Sequence, residues 1–303
     1  YPLWHAGRQL ELVKLTLESL NQVYDGTLGE PQWGPELIWW GLENNRIYLG
    51  DIAGARRVEE ALTELGPVTK VNGRLIVTEQ QRAAFPPIDT YKFEETQAIL
   101  RLPWVIHDEG FQDAFDHISE IIASVPDGVP VSPMTHATAA RYALALGDCQ
   151  AAGQHLELAG KDLAPLDWPY SNVYLDFLYA AVDAIDYAIA LRCLGEEQKA
   201  SELIDGTLEW LDEMEANGYG VSQIPVARAK AHILRGEKEQ GLVWLEQYAA
   251  LPGPMLLGIK NDPAFESVED DPRFQAAVGT IKEKNQMIVE QIDRAIEESG
   301  LEF

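Results

Sequence analysis

A glycine between two apolar helical stretches, with an acidic residue after it in the clearest copies, recurs along this chain and limits its fold more than any other feature. The plainest copy is YAIALRCLGEEQKASELIDGTLEW (Tyr187–Trp210), where one apolar helical face ends before Gly195 and another restarts at Ala200. Ile47–Leu62, Ala143–Ala159 and His232–Ala249 align with it, and Ile106–Ile121 is a fainter copy. The aligned glycines, Gly50, Gly110, Gly147, Gly195 and Gly236, are 60, 37, 48 and 41 residues apart. A repeat of roughly 34 to 47 residues is the mark of stacked helix pairs. Five residues after the glycine stands a small residue: Ala55, Ala152, Ala200 or Gly241. Eight or nine after it stand bulky apolar ones: Val58, Leu156, Leu203 with Ile204, or Trp244 with Leu245. The small residue lets the second helix approach the first, and the bulky ones fill the gap to the next pair. The fold class that follows is all-α.

The G-[DE]-x-x-x-A turn, with a bulky residue a few positions on, resembles the tetratricopeptide repeat family. The family's first-helix Trp–Leu–Gly signature is missing here, and the steps are irregular, so these are divergent repeats. The resemblance implies a right-handed α-solenoid whose first helices line a concave, peptide-binding groove. Counting back six residues from each glycine gives Asn44, Trp104, Arg141, Ile189 and Lys230. Arg141 and Lys230 would offer cations to a carboxylate, Asn44 an amide donor and Trp104 an apolar wall, with Trp40 one turn before Asn44. The basic positions fall in nonadjacent repeats, so one ligand terminus is not expected to reach all three polar groups. The bland alternative is that Arg141 and Lys230 simply lie on a half-exposed helix face.

Between the repeats the chain departs from helix once. VTKVNGRLIVT (Val68–Thr78) has β-prone residues around Asn72-Gly73, a dipeptide suited to a two-residue turn, and predicts a small β-hairpin insertion over about 68–78. The proline-rich VPDGVPVSP (Val125–Pro133) is the best internal boundary, dividing amino-terminal repeats with the hairpin (1–128) from a carboxy-terminal array with a capping helix (129–303), and reads equally as a long link between repeats. Near the end, Asp262-Pro263-Ala264-Phe265 is echoed by Asp271-Pro272-Arg273-Phe274. In each, Asp is placed to cap a helix, Pro to occupy its first position and Phe to dock on the array. Ile281–Glu298 then reads as the polar-faced cap that a solenoid needs. This tail resembles those of repeat arrays in bacterial multidomain regulators, including membrane-bound winged-helix activators and class III adenylyl cyclases.

Chemistry is harder to find. The chain has no P-loop, G-x-S-x-G, H-E-x-x-H, C-x-x-C or G-x-G-x-x-G, so neither catalysis nor a cofactor is expected. His107-Asp108-Glu109, Asp113 and Asp116-His117 hold metal-ligating residue types, yet read as a solvated acidic turn; no metal is expected. His136, His155 and His232 each stand alone on a helix and read as packed or surface residues. Cys149 and Cys193 fall in equivalent turns of neighbouring repeats, where a disulfide is conceivable; two free, half-buried thiols are the expectation, because one pair in 303 residues is no disulfide framework. Asp183 and Asp186 lie on an otherwise apolar helix and need partners, for which Arg192 and Arg228 are the candidates.

Forty-nine acids against 23 bases give a net charge of −26, a field that repels nucleic acid and anionic membrane surfaces. No run of 18 apolar residues exists, so no membrane span is expected in this segment. The chain begins at Tyr1 and Trp4–Tyr24 reads as half a repeat, so a piece of a longer protein is expected. The implied role is a protein- or peptide-binding module of a bacterial regulator, in cytoplasm or periplasm, with tethering through an upstream segment one arrangement. The alternative is an accessory region of an enzyme whose catalytic domain precedes Tyr1. A cation-buffering role for the acidic surface is weaker.

Overall fold

A computed structural model describes residues 9–24, 42, 46, 49–65, 69–71, 74–76, 110–125, 128, 131, 133–159, 174–216, 224–252, 254, 259 and 262–300. The described residues are overwhelmingly helical. In chain order they form α1 (Gln9–Tyr24), α2 (Ile52–Leu65), β1 (Thr69–Val71), β2 (Arg74–Ile76), α3 (Phe111–Ala123), α4 (Pro133–Ala145) and α5 (Cys149–Ala159). There follow α6 (Tyr174–Cys193), α7 (Glu197–Ala216), α8 (Ile224–Leu234), α9 (Lys238–Ala250), a short 3₁₀ helix (Pro263–Val268) and α10 (Pro272–Ser299). β1 and β2 pair antiparallel, Thr69 opposite Ile76 and Val71 opposite Arg74. Residues 72 and 73 lie outside the described set.

Of the recurring glycines, Gly147, Gly195 and Gly236 sit where helices end, and Gly110 stands before α3. Gly147, Gly195 and Gly236 have φ of 76°, 82° and 82°, left-handed backbone that glycine adopts without a Cβ penalty. Each closes its helix with the same pair of bonds. Gly147 N–H donates to the Leu144 carbonyl at 3.0 Å, and Asp148 N–H reaches back to Ala143 at 2.8 Å. Gly195 and Glu196 repeat this on Arg192 and Leu191, and Gly236 and Glu237 on Ile233 and His232. The acid then opens the next helix: the Asp148 carboxylate accepts from Ala151 N–H at 3.0 Å, and Asp51, after Gly50, accepts from Gly54 N–H at 2.9 Å. A Gly–acid dipeptide thus ends one helix and starts the next.

The chain divides into two compact units, and the division is discontinuous. One comprises residues 1–100, 250–260 and 278–303; the other comprises 101–249 and 261–277. This division differs from the boundary at 128/129 expected from the proline-rich stretch. α3 packs on α4 and so belongs with the hairpins after it, and much of the tail groups with the amino-terminal residues.

In the first unit, Val13 and Leu17 of α1, Leu42, Leu49, Val58 of α2 and Val289, Ile292 and Ile296 of α10 share one core. Arg46, 2% exposed, reaches Asp51 at 2.6 Å and Asp293 at 2.5 Å. Gly54 leaves room for this pair, since a Cβ there would lie 2.0 Å from the Asp51 carboxylate.

In the second unit, α4 and α5 fold together, as do α6 and α7, and α5 packs on α6. The first helices also touch in sequence, α4 on α6 and α6 on α8. α6 is buried on several sides, at Ala181, Ala184, Ile185, Ala188 and Ala190, because helices pack around it; its sequence is accordingly apolar apart from its three aspartates and Arg192. α7 buries one stripe, Ala200, Ile204, Leu208 and Leu211. α9 lies hard against α8: a Cβ on Gly241 would meet Ile233 Cγ1 at 2.4 Å and the Ala229 carbonyl at 3.0 Å. The tail dipeptides cap both following helices. Asp262 accepts from Ala264 N–H at 2.9 Å and Asp271 from Arg273 N–H at 2.8 Å, while Phe265 and Phe274 are buried with ring centroids 5.5 Å apart. α10 therefore begins at Pro272, nine residues before the start read from apolar periodicity. Among the described residues, no helix is long and apolar enough to cross a membrane.

Candidate functional site

Three successive hairpins contribute one charged residue each to a common point. Arg141 on α4 and Lys230 on α8 stand six residues before their turn glycines, and Asp186 on α6 stands nine before its own. Arg141 Nε donates to Asp186 Oδ2 at 2.7 Å, and Lys230 Nζ donates to Asp186 Oδ1 at 2.6 Å. The same ammonium meets Asp262 Oδ2 at 2.9 Å, at the cap of the 3₁₀ helix that packs on α8 and α6. Lys230 is 2% exposed, Asp186 6% and Asp262 11%, while Arg141 is 34% exposed.

Two cations face two carboxylates, and that balance is what allows their burial. An ion taken from water loses several kcal/mol of solvation, which an ion pair recovers only with good geometry and its hydrogen bonds made. Burial pushes the Asp186 carboxyl up, but the charges of Lys230 and Arg141 outweigh it and hold the group below the ordinary aspartate range. Burial alone would lower Lys230; the charges of Asp186 and Asp262 turn the shift upward. Burial and the neighbouring Asp186 charge push Asp262 up, against the pull of Lys230.

This corrects two sequence expectations. Lys230 does not offer its charge at a surface; it braces three elements from inside. Asp186 is met by Arg141 and Lys230, whereas Arg192 and Arg228 go elsewhere. Arg192 donates to the Leu234 carbonyl, and Arg228 reaches Asp212 at 2.6 Å and Glu215 at 3.1 Å with its guanidinium 4.9 Å from the Trp244 ring centre. Arg141 and Lys230, expected to be too far apart to share a ligand, share a carboxylate of the intervening hairpin. Of the remaining groove candidates, Trp40, Asn44 and Trp104 lie outside the described residues, as does the side chain of Asp183.

Two further pairings join neighbouring helices and turns. Cys149 and Cys193 lie at consecutive turns with Cα atoms 5.7 Å apart and are joined as a disulfide, so the expectation of free thiols is corrected. That separation is ordinary for a bridge, and it arises because the α4–α5 and α6–α7 turns are neighbours. His136 on α4 and His155 on α5 face each other with Nδ1 atoms 3.2 Å apart and ring centroids 5.4 Å apart. The Phe115 ring stands edge-on to His155, centroids 6.0 Å apart. Burial lowers the pKa of both imidazoles, and for His136 the neighbouring His155 lowers it further. Their positions, 11 residues before Gly147 and eight after it, are the only sequence signal that a hairpin would oppose them.

Along the acidic stretch, Asp116 accepts from Gln112 at 2.9 Å, and residues 107–109 lie outside the described set. Among the described residues no group of three or more His, Cys, Asp or Glu is placed to hold a metal ion. Compared with protein-family models, with curated proteins and with solved structures, the chain matches none.

Proposed function

We propose that the helix pairs of this chain form a right-handed, tetratricopeptide-like solenoid that binds a protein or peptide partner on the face lined by its first helices. On this reading the module serves as the interaction or sensory part of a larger bacterial regulator, and the carboxy-terminal helices cap the array. The observation that carries the proposal is the row α4, α6, α8: three first helices are fastened side by side through Asp186, and Arg141 is the reachable end of that row. A face built this way has a fixed spacing before any ligand arrives, which lowers the ordering cost of binding. Arg141 is preorientated by its bond to Asp186 and, as a guanidinium, suits a carboxylate from a peptide side chain or chain end. Lys230 contributes by position alone, holding Asp186 in place.

The test is a carboxylate-bearing peptide library read by fluorescence anisotropy against the 303-residue chain. Arg141→Glu should weaken the best peptides by about 2 kcal/mol, roughly thirtyfold; because it also takes one of two cations from Asp186 it should lower Tm, so affinities are compared at a temperature where circular dichroism shows both proteins folded. Equal affinities for the wild type and Arg141→Glu would remove this face from consideration. Nucleic acid should not compete, because the net charge of −26 opposes polyanions.

A further inference from the structure

The imidazoles of His136 and His155 oppose each other through the same atom, Nδ1, at 3.2 Å. That distance suits two kinds of partnership. One is a hydrogen bond, with Nδ1–H of one neutral ring donating to Nδ1 of the other, at the long end of the usual range. The other is a shared metal ion. Zinc–imidazole bonds of about 2.0–2.1 Å at a tetrahedral angle place the two nitrogens about 3.3–3.4 Å apart, and at a right angle about 2.9 Å apart. The observed separation lies between these limits; with ring centroids 5.4 Å apart the two Nδ1 atoms point nearly at each other, so taking up an ion requires each ring to swing its lone pair towards a shared point.

We propose that His136 and His155 form a two-imidazole chelate for a divalent transition-metal ion of the zinc, nickel and copper class, with water completing the coordination. The backbone arrangement is already made: α4 and α5 are locked by the Gly147 turn, and His136 and His155 are drawn together across it. His136 is buried, whereas His155 is half-buried. In the free pair one ring carries its hydrogen on Nδ1; on binding, that hydrogen moves to Nε2 and both Nδ1 lone pairs face the ion. Net charge on the protein is unchanged by the shift. Imidazole nitrogen favours these borderline ions over calcium and magnesium, which prefer oxygen. Two protein ligands make this a site of modest affinity, with copper held more tightly than nickel or zinc.

The experiment uses the full chain without a histidine tag, stripped with a chelator and titrated with copper, nickel or zinc chloride alone. Calorimetry should show one saturable ion per chain, with a matching rise in Tm that calcium and magnesium do not reproduce. His155→Gln, at the half-buried position, should abolish the heat and the Tm rise, and His136→Gln should do the same. If His136→Gln fails to fold, protection of His155 from diethylpyrocarbonate by added zinc in the wild type supplies the second readout. Unchanged isotherms in His155→Gln would place the ion elsewhere on the acidic surface and overturn the proposal. So would the absence of any heat with all three metals.

Discussion

Lys230 keeps its charge in the interior because two carboxylates close on one ammonium. Lys230→Met should therefore cost about 3–5 kcal/mol in urea unfolding, since it strands Asp262 and leaves the neighbouring buried Asp186 with Arg141 alone. Replacing Lys230, Asp186 and Asp262 together by apolar residues of similar volume should recover most of that loss, which separates unpaired charge from lost packing. The pH dependence has a definite sign. The folded Asp186 pKa lies below its unfolded value, so its ionised form contributes stability that is present above the ordinary aspartate range, about pH 4, and is lost as pH falls through the lower folded value. The folded Lys230 pKa is raised, so its contribution is full below the unfolded lysine value and disappears as pH rises through the folded one. Thermal unfolding from pH 7 towards pH 2 should show a steeper loss for the wild type than for Asp186→Asn; parallel curves would mean that Asp186 is not the group responsible. Counting back from the turn glycines selected Arg141 and Lys230 together, because both are set by helical periodicity. Periodicity carries no information about depth, and so it did not reveal that Lys230 is sealed beneath the 3₁₀ helix.

At the scale of the helix pair, the Gly–acid turn was legible because all its chemistry is local: a left-handed glycine, a carboxylate and two backbone bonds within six residues. The close approach of the following helix is equally local. Gly241→Ala should destabilise the α8–α9 pair by about 1–3 kcal/mol, since the added methyl collides with Ile233 and with the Ala229 carbonyl. A urea midpoint unmoved by this substitution would show that α9 can shift without penalty. That Cys149 and Cys193 fall in turns of neighbouring pairs was legible from the repeat, whereas the bond between them was not, because a separation of 44 residues does not fix how closely two turns approach. The bridge has a measurable consequence. Closing a loop of that length lowers the entropy of the unfolded chain by about 4 kcal/mol equivalent on the chain-entropy account. Dithiothreitol should lower Tm accordingly, and Cys149→Ser should show the same Tm with and without reductant. Thiol titration before unfolding should find no reactive cysteine.

For the molecule as a whole, the net charge of −26 sets a term that no single contact removes. Many of the scarce cations are already committed: Arg46, Arg228, Lys230 and Arg273 are each engaged by two carboxylates. The remaining acids repel one another across the surface, and self-repulsion of this kind works against the compact state. Salt acts on both sides of the balance. It weakens exposed pairs such as Arg273 with Glu246, and it screens repulsion between like charges further apart than a Debye length, about 10 Å at 0.1 M. Exposed pairs contribute little individually, whereas 26 uncompensated charges interact over many separations, so repulsion governs the sign. Raising sodium chloride from about 0.01 M, where the screening length is about 30 Å, to 0.5 M should therefore raise Tm, most steeply over the first 0.1 M. The buried Lys230 network is shielded from this effect, so Lys230→Met should follow the same salt curve displaced to lower temperature. A Tm that falls with added salt would mean that the surface ion pairs hold more of the fold together than the excess acids push apart.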